Sequence, residues 1–167
     1  MKTPYHRNGC IETYNPIDVP KYPPLGIRDY AVYALMYQLG LRVGEVHDLD
    51  LECIDFKNRK ITVMGKGRKP RTLHVNDELI EIVSQYLAVR DKFLNSWLSK
   101  ALFVSKKGNR LAIRTMEDNF KKILLQTGLT TPFNVTCHTL RHASSLSAMA
   151  AQAAWPRILT TTMSMYW

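Results

Sequence analysis

The chain has 167 residues, enough for one domain with a proper core, and 46% of them are hydrophobic, an ordinary fraction for a globular protein. No stretch reaches the ~18 uncharged apolar residues of a membrane span, and MKTPYHRNGC lacks the apolar core of a secretory signal, so a cytoplasmic setting is expected. A formal net charge of +9 favours an anionic polymer or surface as partner. The three cysteines, Cys10, Cys53 and Cys137, are scattered and odd in number. They read as reduced thiols, with Cys53 and Cys137 expected to be small buried hydrophobes.

Five of the eight prolines (Pro4, Pro16, Pro20, Pro23, Pro24) precede residue 25, so residues 1–25 read as an extended arm or linker. IRDYAVYALMYQL (27–39) is apolar on most sides and predicts a buried helix ended by Gly40. A short second helix in LRVGEVHDL carries Arg42 and Glu45. The period then changes. CIDF, KITVM and RTLHV favour strands and are separated by KNR and GKGRKP, which predicts a three-stranded antiparallel sheet. Asn76, followed by Asp77 and Glu78, caps a helix near 77–93. LFVS (102–105) is a candidate further strand with KKGNR as its turn, and Thr115 a candidate cap for a helix over MEDNFKKILLQT, closed by Gly128. The loop TTPFNVT leads into a helix opening on CHTLRH. The order predicts a single α+β domain, mostly helical, over 26–167, with a small three-stranded antiparallel sheet.

Three stretches carry chemistry. Residues 57–71, KNRKITVMGKGRKPR, hold seven Lys or Arg and no acid. The glycine-flanked tip lets backbone approach a ligand while Lys66 projects; a solvated basic turn is the plain alternative. The spacing is not that of a P-loop, and the segment lies between strands rather than opening a helix. Arg42, with Glu45 three residues on, is either an intrahelical ion pair or a cation aimed at an external anion. On a helix starting near Thr136, His138, Arg141 and His142 share one face. That stripe suits a metal, an acidic helix or a phosphate. A zinc site needs three or four ligands, and Cys137 points roughly 100° away from His138 on such a helix.

GLRVGE, a hairpin bearing GKGRKPR and then HTLRH on a helix, in this order, resemble the catalytic domain of the tyrosine recombinases, the phage integrase family, from about Arg28 to about Ser147. The resemblance implies attack of a tyrosine hydroxyl on a DNA phosphodiester through a 3′-phosphotyrosyl link. It implies neither metal nor nucleotide, so protein cations neutralise the phosphorane. It casts Arg42 and Arg141 as the two arginines of the clamp and His138 as a proton-handling or oxygen-contacting group. It also implies Lys66 as the group that protonates the leaving oxygen, with Lys69 as fallback, and Glu45 as support for the clamp. Arg68, Lys69, Arg71 and His142 are expected to contact DNA. The implied partner is double-stranded DNA, with self-association on it in a full-length enzyme.

After Ser147 the sequence departs from the family pattern. AMAAQAAWPRILTTTMSMYW has no Leu-Gly-His, and Tyr166, the candidate nucleophile, stands 25 residues after Arg141, short by roughly two helical turns. Trp155 could stand for the missing histidine, although Pro156 disturbs a helix there. The tail therefore reads as truncated or altered, and the N-terminal core-binding domain of the family as absent. The leading expectation is a site-specific DNA recombinase of mobile-element type. The alternative is a catalytically incomplete DNA-binding remnant. An RNA-binding module ranks last, because the paired stacking aromatics are missing.

Overall fold

The computed structural model describes residues 23–65, 67, 69–93, 95–127 and 136–137. Helix α1 (Pro24–Leu39) is the central element, with Ala31 through Met36 all at most 1% exposed. A helix apolar on every side has no solvent face to keep, and α1 packs against the three other α-helices among the described residues. It begins three residues before the expected Ile27. Pro23 takes the extended N-cap conformation and Pro24 the first helical position, where a missing N–H costs nothing. The arm assigned to 1–25 therefore yields Pro24 and Leu25 to this helix; residues 1–22 lie outside the described ones. Gly40 closes α1 in the left-handed conformation at φ 62°, which glycine adopts without strain.

Helix α2 (Val43–His47) follows after three residues, Gly40, Leu41 and Arg42. Strands β1 (Ile54–Asp55), β2 (Lys60–Met64) and β3 (Pro70–His74) form an antiparallel sheet in the order β1-β2-β3. Ile61 pairs with Leu73 and Val63 with Arg71, so these four residues share the inner face, while Thr62 and Thr72 face outward. CIDF contributes only two strand residues, because Cys53 ends a 3-10 turn and Phe56 enters the turn that Asn58 fastens to Asp55. The Asn58 side chain is the chief cause of an Asp55 carboxyl held below its ordinary range.

Helix α3 (Asp77–Arg90) starts as expected, the Asn76 side chain accepting from the Leu79 amide at 2.9 Å. Its inner face runs Leu79, Ile82, Val83, Tyr86, Val89, Arg90, the spacing of an amphipathic helix. Helix α4 (Ile113–Thr127) buries Met116, Phe120 and Ile123, and the Phe120 ring meets Tyr33 of α1 at 5.2 Å. It starts ahead of the expected cap: the Met116 amide already donates to the Ala112 carbonyl, so Thr115 lies inside the first turn. Gly128, its expected stop, lies outside the described residues.

LFVS is not a strand. Only isolated bridges occur there, Asp50 with Ala101 and Val104 with Arg110. Of the Leu102, Phe103 and Val104 carbonyls, only that of Phe103 accepts a backbone amide, that of Leu111, among the described residues, while side chains take its neighbours: Leu102 accepts from Tyr86 and Arg90, and Val104 from Arg28. The expected turn over KKGNR is present, the Ser105 amide donating to Asn109 and Gly108 adopting φ 80°. Among the described residues, no helix is long and apolar enough to cross a membrane.

Candidate functional site

Of the residues expected at a site, Arg42, Lys69 and Arg71 are described, whereas Lys66, Arg68, His138, Arg141, His142 and Tyr166 lie outside the described residues. Arg42 occupies the N-cap of α2 with extended backbone (φ −74°, ψ 151°). Its amide donates to Glu45 Oε2 at 2.8 Å, the half of a capping box that an acid at the third helical position supplies. Its guanidinium reaches Glu45 Oε1 at 3.4 Å while 46% of the side chain remains exposed. The ion pair and the outward cation, alternatives on sequence grounds, thus coexist in one residue.

Glu45 is only 6% exposed in its side chain and serves a second arginine. Arg71, from β3 and 26 residues away, donates from Nη2 to the same Oε2 at 3.1 Å. One buried carboxylate therefore faces two guanidinium groups, and a surplus positive charge stays at the rim where both arginines meet solvent. Such a surplus attracts anions more strongly beside a low-dielectric wall than in open water.

A five-residue helix is too short to hold its own shape, and α2 is fastened at both ends. At its far end His47 Nδ1 bonds the Leu111 carbonyl at 2.8 Å. Arg110 donates to the carbonyls of His47 and Leu49 and pairs with Asp50. At the other side of the site, the Gly65 amide donates to the Lys69 carbonyl at 2.9 Å and closes the β2–β3 tip. Gly67 sits there at φ 79°, a conformation that side chains disfavour. Lys69 is exposed beside it.

Cys137 opens the CHTLRH stretch and is 5% exposed within the core. Burial first, then the Glu117 carboxylate of α4, pushes its thiol up to about 12. A thiol kept protonated in this way is core filling rather than a nucleophile or metal ligand, as expected for Cys137; Cys53 is half-buried against the same core.

The Glu45–Arg71 bridge was missing from the sequence expectations, which named Arg71 only as a DNA contact. Strand parity carried the signal. Arg71 alternates with Leu73 and Val75, both apolar, so its side chain belongs to the inner face.

Known proteins resemble this chain over most of its length. The family model described as "Phage integrase family" matches residues 14–160, a wider span than the motifs alone suggest, with Tyr166 beyond its last residue. A tyrosine recombinase XerC of Actinobacillus succinogenes is 38% identical over 130 residues, which is 78% of this chain and 43% of that protein. The XerC of Escherichia coli O157:H7 is 34% identical over 145 residues, 85% of this chain and 47% of that protein. The chain thus spans less than half the length of these relatives. Among solved structures, XerA recombinase superposes with a TM-score of 0.63 at 27% identity, covering 82% of this chain and 49% of that one. The XerH site-specific recombinase bound to palindromic difH substrate shares the fold, with a TM-score of 0.60 at 20% identity over 84% of this chain and 40% of that one. With a family match over residues 14–160, and with the helix–sheet–helix order and the GLRVGE arginine in place, the chain belongs to the phage integrase family.

Proposed function

We propose that this chain supplies the phosphate clamp of a site-specific DNA recombinase that breaks and rejoins double-stranded DNA through a 3′-phosphotyrosyl intermediate. One observation carries the reading: in a phage integrase family chain, Arg42 is braced by buried Glu45 and still presents nearly half of its side chain to solvent. In this reading Arg42 and Arg141 hold the non-bridging oxygens of the scissile phosphate, and their fixed charge stabilises the phosphorane without reorganisation. The Tyr166 oxygen bonds to phosphorus as the bond to the 5′ oxygen breaks. Lys66 protonates that leaving oxygen, and His138 contacts the phosphate oxygens or handles the proton. Arg68, Lys69 and His142 add sequence-independent backbone contacts. The reaction uses neither metal nor nucleotide. It takes place in the cytoplasm, with copies of the chain associating on DNA.

The test is a randomised pool of nicked duplexes incubated with the protein, with covalent adducts captured after denaturation. An adduct lost in Tyr166→Phe and in Arg42→Ala supports the reading. A second reading, a DNA-binding remnant without a competent nucleophile, is favoured by the tail, where Trp155-Pro156 stands and no Leu-Gly-His occurs. Salt-sensitive DNA binding with no adduct from any member of the pool would select the remnant over the recombinase.

A further inference from the structure

Arg71 was expected to touch DNA. We propose instead that Arg71 is a positioning residue: it acts through Glu45 to hold Arg42 in its extended N-cap conformation, and so ties the β2–β3 hairpin to the clamp. The proposal rests on the recombinase reading for what Arg42 does, but not for how Arg42 is held.

Three observations carry it. Arg71 pairs in register with Val63, which is 1% exposed, so the pleat of β3 turns its side chain toward the helices rather than toward the outer, Thr62–Thr72 face. Its Nη2 meets the same carboxylate oxygen that accepts the Arg42 amide, at 3.1 Å and 2.8 Å respectively. That shared oxygen fixes the Glu45 rotamer from two sides, and the rotamer in turn decides where the Arg42 backbone enters α2. Finally, although 40% of the Arg71 side chain is exposed, its Nε is buried and has no hydrogen-bond partner among the described residues. Nε and Nη2 form one of the two edges by which a guanidinium can grip a phosphate in bidentate fashion. With Nη2 on Glu45 and Nε sealed from solvent, that edge is closed to a phosphate.

The coupling has a geometric consequence. Arg71 stands two residues from Lys69, whose carbonyl closes the hairpin tip. A displacement of the tip is therefore passed through one carboxylate to the arginine at the N-terminus of α2. No other hydrogen bond or ion pair between described residues of β3 and α2 makes this link.

The experiment compares wild type with Arg71→Ala and Arg71→Lys. In the free protein, hydrogen exchange at the Arg42 amide is expected to quicken about tenfold or more in Arg71→Ala, with α1 and α3 amides unchanged. Arg71→Lys restores much of the protection, because an ammonium can still donate to Oε2. Binding to a duplex of arbitrary sequence keeps its slope of log affinity against log salt, whereas a residue that contacts phosphate lowers that slope by about 1 when removed. In the adduct assay, Arg71→Ala lowers the rate at saturating DNA and leaves half-saturation unchanged. An unaltered Arg42 amide together with a slope reduced by about 1 overturns the proposal in favour of a phosphate contact. Unaltered exchange with an unaltered slope overturns it as well. If the wild-type chain forms no adduct, the recombinase reading fails, while the exchange and slope measurements still decide the role of Arg71. Should Arg71→Ala fail to fold, Arg71→Lys against Glu45→Gln carries the same exchange readout.

Discussion

Arg90 is 1% exposed, and its guanidinium donates to backbone carbonyls: Leu102 at 3.2 Å, Ser99 at 2.8 Å and Ala101 at 2.8 Å. Arg90→Met keeps most of the volume and removes the donors. Leu102 retains the Tyr86 hydroxyl at 3.0 Å, so it is not orphaned. The Ser99 and Ala101 carbonyls lose this donor. A buried carbonyl left unpaired costs about 1–3 kcal/mol, and Ser99, being partly exposed, falls at the low end because water can reach it. Relief of the buried charge offsets a part. The expected net loss is about 1–3 kcal/mol, or about 3–9 °C in Tm for a chain of this size. Urea unfolding followed by far-UV circular dichroism measures it, with the midpoint falling at constant slope. A loss under about 1 kcal/mol, or a gain, would refute the reasoning and place Arg90 with the buried charges that apolar residues replace at no cost.

Three further outcomes follow from the same structure. Asn76→Ala removes the side-chain acceptor of the Leu79 amide and is expected to cost about 1 kcal/mol, read as a shift in the urea midpoint. In a Cys10→Ser, Cys53→Ser background, Cys137 should resist iodoacetamide at pH 8.5 until urea unfolds the chain, since burial holds the thiol protonated up to about 12. Because its folded pKa lies above the ordinary 9.0, the neutral thiol stabilises the fold fully below pH 9, and that contribution is lost as pH rises toward 12. Arg42→Ala should abolish adduct formation while reducing duplex affinity only modestly, because many other basic residues share the binding; a variant that still forms adducts at the wild-type rate removes Arg42 from the clamp.

Much of the architecture was legible in local pattern. The all-round apolar run of α1, the Gly40 stop, the Asn76 cap and the alternation of KITVM are each decided within a few residues, and each element forms where that pattern lies. LFVS misled because hydrophobicity and β-branching describe burial as well as strand pairing. The segment is largely buried, but the Leu102 and Val104 carbonyls go to Tyr86, Arg90 and Arg28, residues whose proximity no local window contains. The candidate site divides in the same way. Arg42 stands out from its place in GLRVGE, and its bond to Glu45 follows from helical spacing of three.

The sequence by itself determined the family, the order of elements and the identity of the basic residues, because motif order and hydrophobic period are properties of the chain alone. Only the tertiary structure decided that Arg71 turns inward to Glu45 instead of outward, and that one carboxylate braces two arginines from different elements. The physical reason is the length of chain between them. Residues 45 and 71 meet only after β2 and β3 have paired in one register and the sheet has packed against α2, and a slip of one residue would turn Arg71 to the opposite face.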